Sequence, residues 1–282
     1  MTELYVALQR LLPQFLLGRV VHRLARVRTP WFKDLCIRGF TRLFPVNLAE
    51  AAHPVPSGYA TFNAFFTRAL QPGARPQDPD PDAITCPADG RVQQAGTLDD
   101  GRLLQAKGMT YTAAELLGDA DSAAPFRDGW FLTVYLAPQD YHRVHAPRAG
   151  TLTDMLYVPG ARLSVNESTA AAVPGLFARN ERLVCQFASP DGPFAMVLVG
   201  ALNVASISTT WAGEVLPCEP RRLRRWHYAG HAGITVGRGD EIGCFNLGST
   251  VILLLPPGFA PADGGLAPGQ PLRVGQRVAV RQ

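Results

Sequence analysis

No Cys-x-x-Cys pair occurs in the chain, and its five cysteines (Cys36, Cys86, Cys185, Cys218 and Cys244) are odd in number and widely scattered. That excludes a zinc knuckle or a disulfide framework as the organising device and points to a reducing, cytosolic setting. No low-complexity tract is long enough to suggest wholesale disorder. Of the 282 residues 47% are apolar and 18% charged, the balance of a globular chain with a substantial core. Nor is there an apolar run able to cross a bilayer. The opening MTELYVALQRLLPQFLLGRVVHRLARV is too short in its apolar stretch and is interrupted by Arg10, Pro13 and Gln14. It also lacks a small-residue cleavage site, which argues against a removable signal peptide.

What is abundant is glycine (27) and proline (24), which favours many short strands and turns over a helical bundle. The net charge of +4 is unevenly placed. Residues 1–44 hold eight Lys/Arg against two acids, +6, so the remainder carries −2. In the same region Leu4, Leu8, Leu11, Leu12, Phe15 and Leu16 fall near helical spacing, and WFKDLCIRGFTRLF sets Trp31, Phe32, Leu35, Phe40, Leu43 and Phe44 largely on one stripe. Basic amphipathic helices with aromatic anchors suit an anionic membrane surface, each basic residue adding about 1 kcal/mol there. The same pattern also suits packing on the protein's own core, and different faces can do both. YATFNAFFTRAL predicts a third helix.

QPGARPQDPDPDAI reads as a Pro/Asp-rich linker. From residue 84 the texture is β, with strand-like runs such as GWFLTVYLA, RLVCQFA and STVILLL split by Gly, Pro and Asp. The expected fold class is α+β, with N-terminal amphipathic helices followed by a mainly antiparallel core. The turns in VPGARLSV, VGRGDEIG and VGQRVAV resemble those of barrel-sandwich or hammerhead folds. The expected organisation is a helical membrane-associating region at 1–70, a linker at 71–83 and a β-rich catalytic core at 84–282.

Two of the six histidines, His142 and His145, lie together in YLAPQDYHRVHAPRAG, a polar cluster directly after a strand and suited to acid–base work. His-x-x-His also raises the question of a metal, but no third ligand stands at recognisable spacing, so none is expected. Asp89, in Pro-Ala-Asp-Gly, reads alone as turn chemistry. With His145 and Ser249 it completes a carboxylate, a base and a hydroxyl in the roles of a nucleophilic triad, recognised by geometry rather than chain order.

Ser249 is badly placed for a hydrolase elbow, because Thr-Val-Ile-Leu after it continues as a strand. An intramolecular target fits better: its hydroxyl is held beside the carbonyl carbon of Gly248, and glycine there tolerates the backbone that attack requires. An N→O acyl shift, loss of the Ser249 α-proton and hydrolysis of the resulting dehydroalanine would leave a pyruvoyl group and ammonia.

These motifs, with TFNAFFTR, PADGRV, LQAKGMTY, VPGLFARNERLVCQF, VLVGALNVASI, TTWAG and GDEIGCFNLGSTVILL, resemble the bacterial, membrane-associated phosphatidylserine decarboxylases almost end to end. The resemblance implies self-cleavage between Gly248 and Ser249 into a β chain (1–248) and an α chain (249–282), a heterodimer free to assemble further. It implies a charge relay of Asp89 and His145 with Ser249, and a Schiff base between the Ser249-derived pyruvoyl and the substrate amine. His142 would be the proton donor to the α-carbon. The partners implied are phosphatidylserine and an anionic membrane at the cytoplasmic face, bound peripherally, with no nucleic acid and no metal. Arg221, Arg222, Arg224 and Arg225 in PRRLRRWHY offer either a second lipid contact or a solvated basic loop. A pyruvoyl decarboxylase of a soluble amino acid is the alternative enzyme, and a β-rich membrane-binding module with the Gly-Ser bond intact is the alternative outside catalysis.

Overall fold

A computed structural model describes residues 9, 13–202, 206–215, 221–228, 233–247, 249–262 and 264–282. The longer described helices come first: α1 (Gln14–Ala25), α2 (Pro30–Leu43) and the short α3 (Phe62–Phe66). Helix α1 starts after Pro13, where a missing amide N–H is harmless. The expected helical positions Leu4, Leu8, Leu11 and Leu12 lie outside the described residues. Helix α3 is shorter than its pattern predicts: Thr61 Oγ caps it by accepting from Ala64 N at 3.0 Å, and it ends at Thr67.

Amphipathy in α1 is turned outward. Leu16, Val20 and Leu24, spaced by one turn, are between 46% and 60% exposed, whereas Gln14, Gly18 and Ala25 face the protein. A Cβ on Gly18 would stand 2.6 Å from the Arg162 guanidinium, so the helix sits as close as it does only with glycine there. Gln14 Oε1 accepts from Arg162 N at 2.9 Å, tying the helix to the core by polar contacts. The stripe read along α2 divides between two faces. Trp31, Leu35 and Leu43 are exposed; Ile37 is buried with Tyr59 and Phe65, and the Phe40 ring packs on Phe44, Phe62, Phe65 and Phe66. A 3.6-residue repeat sets 31 and 35 on a different side from 37 and 40, and Phe40 follows the aromatic cluster inward. No helix among the described residues is long and apolar enough to cross a membrane.

The core carries β1 (Gly90–Thr97), β2 (Trp130–Leu136), β3 (Arg143–His145), β4 (Gly150–Val158), β5 (Arg182–Ala188), β6 (Phe194–Val199), β7 (Ser206–Thr209), β8 (Arg224–His227), β9 (Glu241–Asn246) and β10 (Ser249–Leu255). Every ladder between described strands is antiparallel, and the architecture is α+β with open sheets. A nine-stranded sheet runs β8-β4-β5-β6-β10-β2-β1 and on to Pro271–Leu272, with Thr235–Val236 also pairing β4. A four-stranded sheet runs Gly213–Glu214, β7, β9, β3. All seven residues of β10 are buried between β6 and β2, as a continuous branched apolar run requires. Arg224 and Arg225 prove to lie in strand β8 on the edge of the large sheet, where Arg225 pairs with Asp119 at 2.6 Å.

Two connections between these sheets position everything that follows. The chain passes from β2 in the large sheet to β3 in the small one through residues 137–142, and returns from β9 to β10 through residues 247–248. Leu136 pairs with Ser249 and Arg143 with Cys244, so the strand residues flanking the two connections are neighbours at both ends.

Candidate active site

Ser249 opens β10 opposite Leu136 and is 1% exposed. Its Oγ has no hydrogen-bond partner among the described residues. Leaving a buried hydroxyl unpaired costs about 1–3 kcal/mol. Two residues upstream, Leu247 holds φ +91°, a conformation that an L side chain adopts only under strain of about 1–3 kcal/mol. Before it, Asn246 is braced: its Oδ1 accepts from Asn63 at 2.8 Å and its Nδ2 donates to Ser206 Oγ at 2.8 Å and Ser208 Oγ at 3.1 Å. A fixed residue, a strained residue and an unsatisfied hydroxyl thus stand in sequence. Gly248, the other side of the expected scissile bond, lies outside the described residues.

His142 lies in the connection from β2 to β3 and is fully buried. Its Nδ1 donates to the Asp140 carbonyl at 2.9 Å, an assignment that follows from the acceptor being an oxygen. The Nε2 lone pair is then bare, and it has no partner among the described residues. Burial pushes the imidazole down to about 3, and the Phe66 ring stands 4.1 Å away. The His142 carbonyl accepts from Phe245 N at 3.0 Å, which fixes this histidine alongside the end of β9.

His145, in β3, has both ring nitrogens engaged. Nδ1 donates to the Gly239 carbonyl at 2.8 Å, and Nε2 accepts from the Tyr141 hydroxyl at 3.0 Å. Burial lowers its pKa, against the Gly239 hydrogen bond and the charges of Glu241 and Asp89. Asp89 sits in a turn whose Pro87 carbonyl accepts from His145 N at 2.8 Å, so turn and strand are neighbours. No hydrogen bond joins their side chains. The Asp89 carboxylate is instead taken by Arg75, whose Nε stands 2.9 Å from both oxygens, and by Val274 N at 2.9 Å. Although burial works against it, the bonds to Asp89 and Glu50 hold the Arg75 guanidinium above its usual value. Gly90 after Asp89 is obligatory on steric grounds, since a Cβ there would meet the Tyr135 carbonyl oxygen at 2.2 Å.

The structure therefore brings the Asp89 turn to His145, and the His142 connection to the strand that Ser249 continues. Sequence reasoning missed Arg75, which lies in the stretch read as a linker. That stretch is hydrogen-bonded to the core by Asp78 N to the Gly275 carbonyl at 2.9 Å and by an Asp78–Arg277 ion pair at 2.8 Å.

Two histidines with lowered pKa values give a pH dependence. In the unfolded chain each protonates near the ordinary imidazole value of 6.5. The folded state resists protonation, so stability is complete above about pH 6.5 and falls as pH drops towards about 3, where His142 titrates in the fold. Each proton withheld costs about 1.4 kcal/mol per pH unit in that window. Asp140, raised by burial, works in the opposite sense. Melting temperature between pH 7 and 4.5 should decline, and His142→Gln should flatten the decline. An unchanged slope would place the loss elsewhere.

Comparison with known proteins gives one family. A family model described as phosphatidylserine decarboxylase matches residues 62–280, and a second described as PSD matches residues 4–45. The phosphatidylserine decarboxylase proenzyme of Methylococcus capsulatus is 52% identical over 97% of this chain and 95% of its own length. That of Azotobacter vinelandii is 53% identical over 98% and 97%, and that of Xanthomonas axonopodis pv. citri 52% over 99% and 100%. With the match running through Asp89, both histidines and Ser249, the chain belongs to the phosphatidylserine decarboxylase family.

Proposed function

We propose that the chain is the precursor of a phosphatidylserine decarboxylase that cuts itself between Gly248 and Ser249 and so makes its own pyruvoyl group. The observation that carries this reading is the buried Ser249 hydroxyl, without a partner among the described residues, two residues after the strained Leu247. A reacting serine needs its lone pairs free, and the strain at Leu247 sets Ser249 apart from the equally buried Thr250 hydroxyl, which also has no partner among the described residues. The relatives named proenzymes support the reading.

In maturation Oγ attacks the Gly248 carbonyl carbon and the C–N bond breaks, giving an ester. Loss of the Ser249 α-proton expels the Gly248 carboxylate, and the dehydroalanine left behind takes up water and releases ammonia. His145 is the base for these proton transfers, and its Nε2 must exchange the Tyr141 hydroxyl for its reaction partner. Asp89, clamped by Arg75, keeps a negative charge beside His145 that favours the imidazolium.

The pyruvoyl ketone supplies an electrophile for the substrate's amine and a sink for the electrons that departing CO2 leaves behind. The overall reaction consumes one proton, which replaces CO2 on the α-carbon, and His142 Nε2 delivers it. A buried imidazole with a pKa near 3 acquires that proton when an anionic substrate enters its site. The outward stripe Leu16, Val20, Leu24 with Trp31, Leu35 and Leu43, flanked by Arg19, Arg23, Arg38 and Arg42, rests on the anionic cytoplasmic face of the membrane. The division into a helical region 1–70, a connecting segment 71–83 and a catalytic core 84–282 belongs to the same proposal.

Intact-mass spectrometry under denaturing conditions is the test. Two species split after Gly248 are expected, the smaller lighter by one ammonia than a Ser-initiated peptide, from a sample that decarboxylates phosphatidylserine in vesicles with which it sediments. A single full-length mass from active protein would overturn the mechanism, and free serine decarboxylated as fast as the lipid would overturn the substrate.

A further inference from the structure

Beside the reacting groups lies a cleft of about 220 Å³ lined by Arg68, Arg75, Arg91, Asp140, Tyr141 and Arg273, among others. Arg68 is 3% exposed, yet its Nε and Nη1 are buried with no hydrogen-bond partner among the described residues. Its Nη2 donates to the carbonyls of Gln139 at 3.0 Å and Asp140 at 3.4 Å, and no carboxylate pairs with it among the described residues. Other charges of the cleft are accounted for. Arg75 is held by Asp89 and Glu50, Arg273 reaches Glu50 at 3.3 Å, and the Asp140 carboxylate accepts from Ala137 N at 2.7 Å. A buried guanidinium with two unmet donors is expensive unless an anion completes it. Burial pushes Arg68 below the usual arginine range, against the charges of Asp140, Asp89 and Glu50, and the Phe65 ring centroid stands 5.5 Å from its guanidinium carbon.

We infer that Arg68 is the seat of the substrate's phosphodiester, with Arg91 at the cleft wall adding a second positive charge. This rests on the function proposed above. The Asp140 carbonyl that accepts from Arg68 also accepts from His142 Nδ1, so an anion seated on Arg68 lies within one residue of the proposed proton donor. The substrate offers two anions, and the chemistry chooses between them. A cation on the carboxylate would stabilise the ground state, whose charge leaves that group as CO2 forms, and would slow the reaction. The phosphodiester keeps its charge throughout, so binding it holds the substrate without raising the barrier.

The test uses mature protein, phosphatidylserine in mixed micelles, and two soluble probes. Glycerophosphoethanolamine carries the phosphodiester without a carboxylate; L-serine carries the carboxylate without a phosphate. In Arg68→Gln, KM should rise about 10- to 100-fold with kcat little changed, as expected for loss of a charged hydrogen bond made in ground and transition states alike. Inhibition by glycerophosphoethanolamine should weaken by the same factor, and Arg68→Lys should fall between. A fall in kcat with KM and inhibition unchanged would make Arg68 a brace for the 137–142 connection and overturn the assignment. Weakened inhibition by L-serine alone would place the carboxylate on Arg68 and overturn it too. Calorimetric binding of glycerophosphoethanolamine to wild type and Arg68→Lys decides the matter if Arg68→Gln does not mature. It also decides it if wild type fails to decarboxylate the lipid, a result that would sink the proposed function separately.

Discussion

Ser249→Ala should yield a single uncleaved chain with no decarboxylase activity at all, and a melting temperature no lower than that of the uncleaved wild-type precursor. The first half follows from the loss of the attacking oxygen and, with it, of the pyruvoyl group. The second half follows from burial. In the precursor Oγ is buried with no partner among the described residues, so removing it deletes a polar group whose unpaired burial costs about 1–3 kcal/mol. A site that is less stable for being functional is what a reactive centre looks like in energetic terms. Intact mass, a decarboxylation assay and calorimetry of the purified variant check all three statements. Residual decarboxylation by the uncleaved variant would remove the pyruvoyl mechanism. A clear loss of melting temperature would mean that the hydroxyl has a structural partner after all.

Much of this site was legible in the sequence because its parts are local. The run STVILLL coincides with β10 and RLVCQFA with β5, since a branched apolar stretch bounded by turn residues has few other stable forms. The Gly-Ser pair at the start of such a strand was conspicuous for the cost of its hydroxyl. Long-range partners were not legible. Nothing in QPGARPQDPDPDAI announces that Arg75 will grip Asp89, because the match depends on how the segment folds back over the core. Hydrophobic spacing predicts a helix through Phe15 and Leu16 but shows neither the stripe of Leu16, Val20 and Leu24 nor which way it faces. That answer came from Gly18 and Gln14 docking against Arg162, a contact between elements more than a hundred residues apart. The same limit applied to Arg68, which in FFTR reads as an ordinary helix-end base until its buried, unpaired donors are seen.

The second large effect is expected from the two histidines separately. His145→Ala should stop maturation, leaving full-length chain. His142→Ala should mature normally and lose about 10²- to 10⁴-fold in kcat, the usual worth of a positioned proton donor. The geometry offers an argument for each. The nitrogens of His145 are engaged by Gly239 and Tyr141, so its ring is oriented in the precursor, when the only reaction to perform is on the chain itself. The Nε2 of His142 has no partner among the described residues of that same precursor, which is intelligible if its partner is the substrate and arrives only after cleavage. The competing view is that His142 Nε2 is itself the maturation base, with His145 a bystander fixed by its hydrogen bonds. Intact mass and kcat on the cleaved fraction of each variant separate the two. Cleavage lost in His142→Ala and kept in His145→Ala would exchange the roles, and would make Tyr141 and Gly239 the supports of a residue needed for turnover rather than for birth of the enzyme.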